Sequence, residues 1–99
     1  MTQEATPHQY CVYVIDVDGG SDNEVYVGQS WHPAEVRYEQ HLSGERQAKV
    51  FRREGRSVGR LRSDLLPPLE PLLNRRVAEA AEKYVAALLE SRAFVVHTG

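Results

Sequence analysis

Cys11-Val12-Tyr13-Val14-Ile15, then Val25-Tyr26-Val27-Gly28, then Arg37-x-x-x-His41: this order of segments decides how the chain is read. Valine, isoleucine and tyrosine fill the first two runs, as pleated strands prefer. Between them Asp18-Gly19-Gly20-Ser21-Asp22-Asn23 is a cluster of turn formers, so residues 10–17 and 24–29 read as a hairpin. Symmetric closure about Gly19-Gly20 puts Tyr13 opposite Tyr26 on one sheet face. Pro33 suits the first turn of a helix, with Glu35 near its positive end. Ala34, Tyr38 and Leu42 recur at four-residue spacing and are expected to face the core. Arg37 and His41 share the adjacent stripe, and Gly44 is the expected left-handed cap.

Working outward, a second short helix is expected over 45–54 and a third strand within 57–65. Three prolines in Leu66-Pro67-Pro68-Leu69-Glu70-Pro71 form a connector that cannot be helical. Residues 75–91 are alanine-rich and carry Val77, Ala81, Tyr84 and Leu88 on one stripe, the expected core face. Residues 93–97 read as a last strand. Residues 1–9 read as a loose arm and 10–99 as one domain. The order β-β-α-α-β-α-β predicts an α/β sandwich on a small, largely antiparallel sheet of three or four strands.

Ninety-nine residues, 41% apolar and 26% charged, suit one soluble globular domain with a modest core. No apolar run is long enough for a bilayer, and the polar start lacks a signal peptide's apolar segment. A lone cysteine, Cys11, excludes a disulfide framework and a cysteine-based metal site. A cytoplasmic protein, monomeric or weakly dimeric and without a membrane partner, is the expectation. The net charge is −2, but it is unevenly spread. Arg46, Lys49, Arg52, Arg53, Arg56, Arg60 and Arg62 face only Glu54 between positions 46 and 62, a local net of +6. Such a stretch could hold a phosphate backbone, although charge runs are commonly just solvated.

Two tyrosine hydroxyls, a guanidinium and an imidazole on one surface suit phosphodiester cleavage. Singly, each is more often a packing or surface residue; the case rests on their joint occurrence in this order. Cys11-Val12-Tyr13, Tyr26-Val27-Gly28-Gln29-Ser30 and Arg37-x-x-x-His41 with Ser43-Gly44 resemble the GIY-YIG nuclease domain over nearly the whole chain. Cys11 and Val12 stand where the family carries glycine and isoleucine, the hairpin is slightly longer, and a terminal asparagine used by some members has no match. The resemblance implies a GIY-YIG-like fold, cleavage of DNA, and functional residues at Tyr13, Tyr26, Gly28, Arg37 and His41. It also implies a metal-binding glutamate on the 75–91 helix.

Glu82 lies beside Ala81 and Val85 and borders the apolar face, whereas Glu79 shares a stripe with Arg75, Arg76 and Lys83. A carboxylate at a core edge needs a cation, which selects Glu82 as the ligand of one hard divalent metal, Mg²⁺ or Mn²⁺. Arg37 would stabilise charge on the phosphate, and either Tyr13 or His41 would assist the attacking water. Gly28, Lys49, Arg52, Arg53, Arg56 and Arg60 are the expected substrate-binding set, with Gly28 equally readable as a steric necessity of its strand. The partner would be DNA, with any sequence specificity supplied by another protein. A catalytically inactive nucleic-acid- or partner-binding module on the same fold is the alternative. Trp31 reads as a lid where strand turns into helix, base stacking being the less favoured role. His8, His32 and His97 have no metal-ligand spacing.

Overall fold

A computed structural model describes residues 9–99. The expected N-terminal arm therefore lies, apart from Gln9, outside the described residues. Strand β1 (Cys11–Asp18) and strand β2 (Glu24–Ser30) form the hairpin. Helix α1 (Ala34–Ser43) follows, then strand β3 (Ser57–Leu61), helix α2 (Arg75–Ser91) and strand β4 (Val95–Thr98). The sheet runs β3-β1-β2-β4. Its inner pairings are antiparallel, but β4 lies parallel to β2, so the four-stranded sheet is mixed. No helix among the described residues is long and apolar enough to cross a membrane.

Strand alternation divides the sheet into two buried faces. Tyr13, Ile15, Val17 and Tyr26 point to the α1 side, where Val50 and Phe51 complete a cluster. Val12, Val14, Val25 and Val27 point to the α2 side and pack against Ala78, Val85 and Leu89. Helices thus flank both faces.

Several elements differ from the sequence expectation, each for a physical reason. The hairpin register pairs Tyr13 with Gly28 and Ile15 with Tyr26. Closure is displaced from Gly19-Gly20 toward Ser21, whose N–H donates to the Glu24 carboxylate at 2.9 Å. The shift is by two residues, so both tyrosines keep the same face and become diagonal neighbours, with ring centroids 6.2 Å apart.

The helix expected over 45–54 is instead a single 3₁₀ turn, Lys49–Arg52. Gly44 caps α1 in the left-handed region as expected, but Arg46 is also left-handed (φ 54°), and two such residues prevent a helical restart. The turn inserts Phe51 against Tyr26 and His41, with centroids 5.6 and 5.4 Å away.

On α1 the inward stripe is Ala34, Tyr38 and His41. Tyr38 donates to the Gly59 carbonyl at 2.7 Å, while Leu42 is 49% exposed. On α2 the buried stripe is Ala78, Val85, Ala86 and Leu89, and Val77 and Tyr84 face outward. Alanines on both sides of this helix hide the direction of burial, and small Ala78 and Ala86 let it approach the sheet closely. The third strand ends at Leu61, where Arg62 turns to clamp Asp16 (3.1 Å) and Asp64 (2.9 Å).

Glu24 anchors the far end of the sheet. Its carboxylate is nearly sealed from solvent and accepts from Ser21 N–H, Arg56 Nε at 3.2 Å and His97 Nε2 at 2.6 Å. Burial alone would raise its pKa, but these three donors outweigh it and hold the group at about 2. A depressed folded-state pKa stabilises the fold above the unfolded value and loses that contribution as pH falls. Thermal stability should therefore fall between pH 4.5 and about 2, by roughly 3 kcal/mol from this group. Thermal melts across that window should show Glu24→Gln less stable at neutral pH and with a shallower acid slope than the parent.

Candidate active site

Gly28 owes its position to the tyrosines around it. A Cβ there would lie 2.6 Å from the Tyr13 hydroxyl and 2.9 Å from the Tyr26 ring, so only glycine lets both rings lie across β2. Gly28 is thus a steric requirement of the site and offers no side chain to a substrate.

Tyr13 and His41 are both almost completely buried, and their polar atoms meet at 3.1 Å (Tyr13 Oη to His41 Nε2). The other ring nitrogen, His41 Nδ1, accepts the Ala48 backbone N–H at 3.1 Å. A peptide N–H can only donate, so Nδ1 carries a lone pair and the proton of the neutral ring is on Nε2. Nε2–H therefore donates to the Tyr13 oxygen. His41 has no lone pair left with which to take a proton from Tyr13. Burial, reinforced by the Arg37 charge, lowers its pKa to about 4, so the ring is neutral at physiological pH.

With one lone pair of Tyr13 occupied, its own proton points elsewhere. A directional line of donors thus runs from Ala48 N–H through His41 to Tyr13, with the Tyr26 ring 6.2 Å from that of Tyr13. Burial pushes both tyrosines above the ordinary phenol value, against which Arg37 acts with its positive charge.

Arg37 donates to Gln40 Oε1 at 2.6 Å and to the Arg46 carbonyl at 3.4 Å, both neutral acceptors. Among the described residues no carboxylate forms an ion pair with it, so its charge is not neutralised locally.

Pairing between β2 and β4 covers only Glu24 to Val27 and stops there. Beyond Val27 the edge of β2 is open on that side, and groups from the two sheet faces approach each other. Gly99 lies against the Tyr26 hydroxyl. Glu82, half-buried on α2, is close enough for its charge to raise the Tyr26 pKa. Burial raises the Glu82 carboxyl itself, while the Gly99 backbone N–H beside it acts in the opposite direction. Glu79, by contrast, is exposed and paired with Arg75 at 3.0 Å, one turn away.

Glu82 shares a cavity of about 600 Å³ with Gln29, Thr98 and Gly99. Gln29, which lines this cavity, has its Oε1 buried without a hydrogen-bond partner. No group of three His, Cys, Asp or Glu residues is placed to hold a metal ion by itself among the described residues. The cavity around Glu82 offers the hard oxygens of Glu82 and Gln29, with Glu79 and Glu90 also lining it and the cations Arg75 and Lys83 beside them. That chemistry fits a divalent cation of the Mg²⁺ type, which takes few protein ligands and keeps several waters.

The basic segment divides into two groups. Arg56 is committed to Glu24 and Arg62 to the two aspartates, so Arg56 leaves the expected substrate set. Arg60 is an exposed residue of edge strand β3. Lys49, Arg52 and Arg53 line a cavity of about 710 Å³ with Tyr26, Thr98 and Gly99. All three are exposed, and none has an ion-pair partner among the described residues. The expected site residues Tyr13, Tyr26, Arg37, His41 and Glu82 thus gather at one end of the sheet.

Sequence reasoning missed Gln29, the Ala48 N–H and Gly99. Gln29 alone had a readable signal: it follows Gly28, so alternation turns it toward the α2 face that carries Glu82. The polarity of the line can be checked by ¹⁵N NMR of the imidazoles. His41 should show Nδ1 unprotonated and Nε2 protonated at neutral pH, and should titrate only as pH falls to about 4. Titration near 6.5, or a proton on Nδ1, would contradict the arrangement. Comparisons with protein-family models, curated proteins and solved structures found no match to this chain.

Proposed function

We propose that this protein is a metal-dependent DNA endonuclease of GIY-YIG type, hydrolysing phosphodiester bonds at the Tyr13–Tyr26–Arg37–Glu82 end of the sheet. The observation that carries this reading is the convergence itself. A buried, directional Ala48–His41–Tyr13 line ends beside an uncompensated guanidinium and a half-buried carboxylate with a raised pKa. Structural packing alone requires none of these polar burials, each of which costs stability unless it is fully bonded.

In this reading the scissile phosphate lies against Arg37, whose planar fork bridges two non-bridging oxygens and stabilises the charge that develops in the transition state. Tyr13 orients the attacking water and receives its proton. Burial opposes the phenolate this requires and holds Tyr13 well above the ordinary phenol value; the Arg37 charge acts against that penalty, and His41 Nε2–H donates to the same oxygen. His41 positions Tyr13 and does not act as the base. Tyr26 orients the phosphate between Tyr13 and Glu82. A hard cation held by Glu82 and Gln29 Oε1 would polarise the phosphate and favour departure of the leaving oxygen. Lys49, Arg52 and Arg53 hold the flanking backbone, giving salt-sensitive affinity. In-line attack by water with the 3′ oxygen as leaving group gives 5′-phosphate and 3′-hydroxyl ends.

A plasmid-nicking assay tests this reading. The parent chain should nick supercoiled DNA with Mg²⁺ or Mn²⁺ and not with EDTA. Glu82→Ala should abolish nicking, and Arg37→Ala should lower turnover by roughly 10²- to 10³-fold, with both variants folded by circular dichroism. Salt-sensitive DNA binding with no cleavage in any divalent metal would favour an inactive binding module on this fold.

A further inference from the structure

Beside Arg37, and sharing no lining residue with the cavity of Lys49, Arg52 and Arg53, lies a cleft of about 340 Å³. Trp31 forms one wall, where β2 hands over to α1, and is 46% exposed. Tyr10 meets it edge-on, with centroids 4.9 Å apart and planes at 69°, which fixes the orientation of the indole. Arg37, Arg46 and Arg75 converge on the same cleft from α1, the following loop and the start of α2. No carboxylate lines it, and of the three only Arg75 has a carboxylate partner among the described residues, Glu79 at 3.0 Å. Gln29 lines it too, joining this cleft to the Glu82 cavity.

An exposed, braced indole ringed by three guanidinium groups has a definite chemical complement: a flat aromatic group attached to phosphates. In duplex DNA the bases offer only their edges, because their faces are stacked on one another. A base can lie on Trp31 only when it is unpaired. We propose that the Trp31 cleft binds one unpaired nucleotide adjoining the scissile phosphate, its base stacked on the indole and its phosphate held by Arg46. The site thereby selects single-stranded or branched DNA over continuous duplex. This inference rests on the nuclease reading only for the word scissile; the cleft and its preference stand without cleavage.

Trp31 is the chain's one tryptophan, so its fluorescence reports this cleft directly. The intact protein is titrated in EDTA with a single-stranded oligonucleotide, a blunt duplex and a duplex bearing a short flap. The single strand and the flap should quench Trp31 and bind more tightly than the blunt duplex. By anisotropy of labelled DNA, Trp31→Ala should lose about tenfold in affinity for the flap, the scale of one stacked base. Its weaker affinity for the blunt duplex should be unchanged, and Trp31→Phe should recover most of the loss. Binding without quenching, equal affinity for all three DNAs, or an equal loss on flap and duplex would overturn the proposal. So would the absence of any binding, which would also remove the DNA reading. Quenching by the flap with no metal-dependent cleavage would support the cleft and sink the nuclease.

Discussion

The buried hydrogen bond between Tyr13 and His41 is the constraint on which the rest of the site depends. Each partner is sealed from water, so an unmade bond would cost about 1–3 kcal/mol in desolvation alone. Meeting it demands glycine at 28, because any side chain there would occupy the place of the tyrosine ring. It also demands that the chain after α1 abandon the helix and bring Ala48 N–H back to Nδ1. Phe51 then fills the space against His41 and Tyr26. One bond thus joins the sheet to α1, specifies the loop that follows, and fixes where protons can lie.

Charge is partitioned with the same economy. At one end of β2, Glu24 gathers Arg56 and His97, and Arg62 joins Asp16 to Asp64, so these ions stabilise the fold. At the other end Arg37, Lys49, Arg52 and Arg53 have no carboxylate partner among the described residues. The local excess of positive charge in the sequence is therefore smaller in its effect than a count suggests, and more focused. Its position beside Tyr26 and Gly99, where pairing with β4 has stopped, is what gives it a bearing on function.

The sequence was legible where one pattern allowed one solution. The hairpin, the α1 boundaries with Gly44 as cap, the extent of α2 and the deeper burial of Glu82 than of Glu79 followed from alternation, capping and the neighbours of each carboxylate. It was not legible where tertiary contacts decided between near-equal options. The register depended on a Ser21–Glu24 contact that no periodicity encodes. The inward stripe of α2 could not be read from a helix with alanine on both sides. The 3₁₀ turn at Lys49–Arg52 exists because Val50 and Phe51 have a cluster to join and Ala48 an acceptor to meet. His97 looked unassignable because its partner, Glu24, is 73 residues away. The tautomer of His41, and with it the distinction between a base and a positioning group, needed the Ala48 N–H and could not be read from the chain.

The most direct test of the account is the location of a bound paramagnetic cation. Mn²⁺ added to the protein should broaden the ring resonances of Tyr26 and Tyr13, and Glu82→Gln should abolish that broadening. The carboxylates of the hairpin turn, Asp16, Asp18, Asp22 and Glu24, line a separate cavity of about 410 Å³ at the opposite end of β2. Broadening confined to that turn, with both tyrosines unaffected and no response to Glu82→Gln, would contradict a metal-dependent site at Glu82.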